Sequence, residues 1–465
     1  VAATSSILIL GAGPTGLGAA WRLQQRGHSD WHLFDAAATA GGLAGSTVDA
    51  QGFTWDNGGH VLFSHYAYFD RLMDELLGQD WVEHVRESWV WIRERFIPYP
   101  FQNNIGRLPE EEFGRCLTGL IAAAQQRGAA PPADFGQWIH RTFGDGLADV
   151  FFLPYNRKVW AYEPSRLDTC WMGERVATVD VHRVVENAMQ NRDDTSWGPN
   201  ATFRFPLRGG TGAIWQALCR RLSPERVALG RKVVRVSGRE KWIELDDGQR
   251  VAFDRLISTI PLNVLIESLI DAPDLKPLGE RLVYSHTHVV GIGVEGPLPE
   301  TLRTKCWMYF PEPETPFYRA TVFSNYSPNN VPVPGRQWSL MCEVSESADK
   351  PVDAARVLAE VEEGLKRVRL LPENATVVSR WHRRLEHGYP TPFLGRDQVL
   401  PRIDQSLKGM GIWSRGRFGG WKYEVSNQDH ALMQGVEAVD HLLDGSEEAT
   451  YYRPDFVNSR PKAES

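Results

Sequence analysis

ILILGAGPTGLGAAWRL, residues 7–23, begins as an apolar run, turns through Gly11-x-Gly13-x-x-Gly16 and continues with residues that favour a helix. This is the strand, turn and helix of a βαβ dinucleotide-binding unit. Gly11 permits the tight turn, Gly13 lets backbone approach a pyrophosphate with no Cβ in the way, and Gly16 lets the helix touch the strand. The diphosphate would then meet the positive end of the helix dipole. A second strand pattern, WHLF at residues 31–34, ends on Asp35, close to the spacing of the acid that binds a ribose hydroxyl. Another glycine turn, Gly41-Gly42 in GGLAGS, follows at once. Backbone running beside an extended cofactor there suits FAD better than a dissociable nicotinamide.

With 465 residues the chain is too long for one compact core, so two or three domains are expected. A net charge of -7 argues against a general nucleic-acid or membrane-surface binder, while leaving room for a local basic pocket that takes an anionic ligand. The five cysteines are odd in number and form no CxxC pair. That pattern fits a reducing compartment, and it indicates neither a disulfide scaffold nor a zinc site; no metal is expected. No apolar stretch reaches the roughly 18 to 20 residues that span a bilayer, and no signal-peptide pattern opens the sequence, so a cytoplasmic protein is the expectation. The 17 tryptophans supply core volume and faces on which a flavin, uracil or sugar could stack.

The fold class expected is α/β: a Rossmann-like FAD-binding domain with a helical insertion domain and an antiparallel β-sheet substrate domain. Residues 1–84, 208–285 and 395–465 are assigned to the first, discontinuously. Apolar spacing in CLTGLIAAAQQ and FGQWIHRTFG makes 110–188 helical. Alternating, proline-interrupted stretches assign 85–109, 189–207 and 286–394 to the sheet. Residues 65–77 are expected as a helix, and the polar stretch from 445 to 465 as peripheral.

DNGGHVLFSHYAYFD, IPYPFQNNI, PYNRKVWA, GERVA, WGPNATFRFP, FYRATVFSNYS, HRRLEHGYPTP and WSRGRFGGWKYEVSNQDHA, together with GGLAGS, cover nearly the whole chain. In combination they resemble the UDP-galactopyranose mutases, particularly the eukaryotic-type branch. The resemblance implies that reduced FAD interconverts the pyranose and furanose forms of a UDP-sugar with no net redox change, its N5 holding the anomeric carbon while the ring opens and recloses. NADPH or NADH would serve as reductant. It further implies that Gly58, Gly59 and His60 form a mobile loop beside the flavin, and that Arg175 and Arg319 grip the diphosphate, a task that suits the forked guanidinium. By the same resemblance Tyr309, Tyr389 and Tyr423 give hydroxyls to that diphosphate. Tyr99, Phe101, Gln102, Asn156 and Trp160 would recognise uridine; Phe63 and Asn200 would lie near the nucleotide or sugar; Arg417, Asn427 and Gln428 would contact FAD. The loop around 329–337 is shorter than in the fungal members, which leaves the oligomeric state open. Two other readings stay open at this point: an amine oxidase-like oxidoreductase, and a nucleotide-sugar binder that keeps FAD without turnover. A mutase for another NDP-hexose is a variant of the first.

Overall fold

The computed structural model describes residues 6–125, 131–172, 176, 179–195 and 201–459. Five short strands form a parallel sheet in the order Ile412–Ser414, Arg255–Ser258, Ile7–Leu10, Trp31–Asp35 and Val227–Leu229. Because side chains alternate across a strand, Ile7, Ile9, Leu33 and Ile257 face one core, shared with the helices Pro14–Gln25 and Gln428–Asp444. Leu8, Leu10, Phe34 and Leu256 face the opposite core, under the helix Arg396–Gly409. With both faces covered, the central strand Ile7–Leu10 is apolar throughout, as the middle of a parallel sheet requires. A Cβ on Gly16 would lie 1.8 Å from the Gly11 carbonyl oxygen, so the expected close approach of helix and strand is present.

The second sheet has seven strands, in the order Thr376–Pro390, Tyr284–Glu295, Gln337–Glu346, Arg319–Val322, Trp307–Tyr309, Ser88–Ile92 and Arg95–Pro98. All neighbours are antiparallel except one. Trp307–Tyr309 runs parallel to Ser88–Ile92, because the 88–98 hairpin adds to this edge from a distant part of the chain, with no turn to reverse it. The helices Glu110–Gln125, Phe135–Leu147, Leu153–Trp160 and Val181–Met189 form a layer whose aromatic core also receives the rings of Tyr309, Tyr389 and Tyr423.

Two expectations need correction. The helix expected from residue 65 begins at Ala67, because the His65 N–H and imidazole are both bonded to the Asp429 carboxylate. The stretch after 445 is not peripheral: Glu448, Thr450, Tyr451 and Val457 are buried, since Glu448 is the carboxylate that neutralises buried Arg415. Among the described residues, no helix is long and apolar enough to cross a membrane.

Candidate active site

A cavity of about 750 Å³ opens between the two sheets, within the range of small-molecule sites. Gly11, Gly13, Asp35 and Gly42 line one end. There the two glycine turns touch: the Gly41 N–H donates to the Ala12 carbonyl at 2.8 Å, and a Cβ on Gly42 would come within 3.2 Å of Gly13 Cα. Gly11 and Gly42 adopt φ values of 103° and 54°, which side chains resist. The Asp35 carboxylate, placed by the end of its strand, accepts from the Ala12 and Ala37 N–H groups at 2.5 and 2.6 Å. Gly16 and Gly41 lie behind this surface and shape it.

The other end is organised by the seven-stranded sheet. Cross-strand register aligns Tyr309, Arg319, Glu343, Val289 and Arg383 in one row across five strands. Residues paired in this way share a face, and Tyr309, Arg319, Glu343 and Arg383 all line the cavity. Arg319 donates from Nε and Nη2 to Glu343 Oε1 at 3.0 and 2.7 Å, and from Nη2 to Oε2 at 2.7 Å. Its Nη1 makes no hydrogen bond with the described residues, and the side chain is 22% exposed. One edge of the guanidinium is therefore fixed while the other stays open to the cavity. Burial opposes ionisation of Glu343, but the Arg319 charge and hydrogen bonds from Tyr318, Arg319 and Gly59 hold its carboxyl below the usual range.

His60 follows Gly58 and Gly59 in the cavity lining. Burial lowers its imidazole to about 4, with Arg417 and Arg319 pushing the same way and Glu343 opposing them, so the ring is neutral at pH 7. Its Nδ1 is buried and unbonded among the described residues. So are Asn57 Oδ1, Thr287 Oγ1 and Gln428 Nε2, all on residues that line the cavity. Buried polar atoms normally find partners; four in one cavity wall indicate a polar ligand. Arg417 packs over Tyr389 and Tyr423, with its guanidinium 5.0 and 5.6 Å from their ring centres, and donates to Ser426 and the Gly388 carbonyl. Asn427 occupies the N-cap of the helix Gln428–Asp444 without a side-chain capping bond, and both Asn427 and Gln428 face the cavity.

Phe63, Tyr99 and Tyr423 complete the lining among the expected residues. Phe101, Gln102, Asn156 and Trp160 are not part of it. Phe101 is fully buried against Phe151, Gln102 is buried beside it, and the Asn156 amide donates to the Phe152 carbonyl. Trp160 sits behind the lining, with its ring edge-on to Tyr389 and Tyr423. Arg175 and Asn200 lie outside the described residues. Sequence reasoning missed Glu343, Tyr318, Asn57, Arg86 and Arg383. A signal for the first existed: a lone carboxylate within the apolar strand SLMCEV must be paired if that strand is buried.

Four arginines, Arg86, Arg319, Arg383 and Arg417, line the cavity of a chain whose net charge is -7. A positive focus in an acidic protein recruits anions. Glycine turns with exposed backbone, an acid at the strand end and unbonded polar side chains fit a dinucleotide at one end. The open guanidinium edge and the tyrosines fit a second anionic group at the other.

Comparison with known proteins agrees with this geometry. The family described as flavin containing amine oxidoreductase matches residues 14–443. The crystal structure of a reduced UDP-galactopyranose mutase is similar at a TM-score of 0.96 and 49% sequence identity, over 99% of this chain and 98% of that one. Two more distant structures share the fold alone. A CLA-producing fatty acid isomerase from P. acnes has a TM-score of 0.64 at 13% identity, with 95% of this chain and 100% of that chain covered. A putrescine oxidase bound to putrescine has a TM-score of 0.64 at 19% identity, with 94% and 99% covered.

Proposed function

The chain belongs to the flavin containing amine oxidoreductases and, within them, to the UDP-galactopyranose mutases, and on that premise we propose that it interconverts UDP-galactopyranose and UDP-galactofuranose in this cavity. The observation that carries the reading is the half-filled guanidinium of Arg319, fixed by Glu343 on one edge and open on the other, in the same cavity as the two glycine turns. An oxidase of neutral amines has no need of such a diphosphate grip.

FAD is the cofactor, and in reduced form it supplies the nucleophile that retains the anomeric carbon while the sugar ring opens and recloses. Gly11, Gly13, Gly41 and Gly42 would seat its pyrophosphate and Asp35 its ribose, with Arg417, Asn427 and Gln428 further along. The remaining residues bind and orient the UDP-sugar. Arg319 presents its free edge to the diphosphate, joined by Tyr309, Tyr389 and Tyr423. Burial raises Tyr309 and Tyr389 above the ordinary phenol range, so they remain hydroxyl donors. Neutral His60 can donate from one ring nitrogen and accept at the other, which suits a group beside a proton that must come and go. The wall of aromatic rings keeps water from the exposed anomeric carbon. We assign Arg175 to the same diphosphate and Asn200 to the nucleotide or sugar, with NADPH or NADH as the reductant.

The test is direct. Dithionite-reduced, FAD-loaded protein given UDP-galactofuranose should yield UDP-galactopyranose, and the oxidised protein should not. Equal turnover in both states, or none in either, would overturn the proposal.

A further inference from the structure

Glu343 receives more donors than an ion pair needs. Its Oε1 accepts the Gly59 N–H at 2.7 Å as well as Arg319 Nε and Nη2, and its Oε2 accepts the Tyr318 hydroxyl at 2.5 Å as well as Arg319 Nη2. Tyr318 continues to the Tyr389 hydroxyl at 3.3 Å. Glu343 is 2% exposed, so these partners rather than bulk solvent satisfy its carboxylate. One oxygen is thus shared between the loop that carries His60 and the arginine whose open edge faces the cavity. The loop backbone is close enough that a Cβ on Gly59 would lie 3.1 Å from Glu343 Oε1 and 3.4 Å from Arg319 Cζ.

The shared oxygen has a physical consequence. Lone pairs on Oε1 are limited, so a stronger bond from Arg319 weakens the hold on Gly59, and the reverse. An anion that draws the guanidinium toward the cavity alters the geometry of the Gly58–Gly59–His60 loop. A loop that shifts alters the orientation of the guanidinium. Interactions that share one buried acceptor are expected to be non-additive.

We propose that Glu343 is a positioning residue that links the Gly58–His60 loop to the anion-gripping Arg319, so that diphosphate binding and the loop state at the flavin are set together. The inference rests on the function proposed above. Its carboxylate oxygens are taken up by Gly59, Tyr318 and Arg319, so it acts through Gly59 and Arg319.

The test uses full-length, FAD-loaded protein with Glu343→Gln, Glu343→Asp, Arg319→Ala and the Glu343→Gln/Arg319→Ala double variant. UDP affinity is titrated on each, and kcat and KM are measured on the reduced forms. Glu343→Gln should retain FAD, weaken UDP roughly tenfold or more and lower kcat as well. Glu343→Asp keeps the charge but is one methylene too short to reach both partners, so it should recover only part of each. In the Arg319→Ala background, Glu343→Gln should have almost no further effect on UDP affinity, because the carboxylate acts there only through the arginine. Glu343→Gln that melts lower yet binds UDP as tightly as wild type, or losses that simply add in the double variant, would overturn the proposal. If Glu343→Gln fails to fold, Glu343→Asp decides by the same two criteria. The UDP comparison involves no turnover, so a wild-type protein without mutase activity would defeat the function while binding still decided the role of Glu343.

Discussion

Arg415 and Arg319 each pair with a buried carboxylate, yet they do opposite things. Arg415 is fully saturated. Its Nε and Nη2 bond Glu448, Nη1 bonds Asp404 and the Ser414 carbonyl at 2.8 Å, and Nη2 also reaches the Tyr452 hydroxyl at 3.2 Å. Arg396 is similar, with Glu424 on both terminal nitrogens and Asp397 on Nε. Among the described residues Arg319 has one carboxylate, and its Nη1 has no partner. A guanidinium with every donor filled ties the fold together; one left half-filled at a cavity wall is available for a ligand. The difference lies in how the donors are occupied.

The most forceful way to break this comparison is to remove both arginines in turn and ask which property fails. Arg415→Met leaves buried Glu448 and half-buried Asp404 with Lys408 as their nearest remaining cation, 3.2 Å from Glu448, and removing one partner of a buried pair costs about 3 to 5 kcal/mol in comparable sites. Denaturant unfolding of the FAD-loaded protein should show that loss, while UDP affinity of the folded fraction stays near wild type. Arg319→Ala should do the converse in binding, weakening UDP by about 2 to 5 kcal/mol, with Arg319→Lys recovering part because it keeps charge but lacks the planar fork. Strong UDP binding by Arg319→Ala, or undiminished stability in Arg415→Met, would erase the distinction.

Sequence made one half of this visible and hid the other. The glycine turns were legible because only glycine fits where backbone must approach backbone, as the 1.8 Å clash at Gly16 demonstrates. Arg319 was legible through its motif, but Glu343 stands 24 residues away and is brought opposite only by strand register. SRGRF contains Arg415 and Arg417 two residues apart, and nothing local says that the first is locked in a core while the second faces the cavity. The polar composition after 445 concealed a buried tail for the same reason: the partner of Glu448 is 33 residues upstream. Trp160, chosen for uridine, lies behind the tyrosines because an aromatic residue in sequence carries no sign of whether its neighbours or a ligand will cover it.

A third kind of buried charge sharpens the comparison further. Asp56 is fully buried, and among the described residues its carboxylate accepts from Ser46 and Thr211 and from no arginine. Burial raises it from 3.8 to about 7, with those hydrogen bonds opposing the shift. The folded form therefore binds more protons than the unfolded chain between these values, and stability is expected to fall as pH rises from about 4 through 7. The slope can reach about 1.4 kcal/mol per pH unit. Asp56→Asn removes the titration, so its stability should gain steadily on wild type between pH 5 and 7. Denaturant curves in matched buffers measure this difference, and parallel pH profiles would show that the hydrogen bonds from Ser46 and Thr211 suffice to keep the carboxylate charged.

The smallest expected effect isolates burial from geometry. Arg380 and Glu362 form a two-pronged pair through Nε and Nη2, at 2.7 and 3.0 Å, as Arg396 and Glu424 do through Nη1 and Nη2, but the Arg380 side chain is 47% exposed whereas that of Arg396 is 1% exposed. Water competes for the exposed guanidinium at every moment, and salt screens what attraction remains. If filled donors mattered by number alone, the two pairs would contribute alike. With solvent accounted for, a double-mutant cycle with Arg380→Ala and Glu362→Ala should return a coupling of about 0.2 to 1 kcal/mol that shrinks as salt is raised. A coupling of several kcal/mol, insensitive to salt, would mean that the paired geometry itself fixes the strength, and the contrast between Arg415 and Arg319 would have to rest on their partners rather than on their exclusion from water.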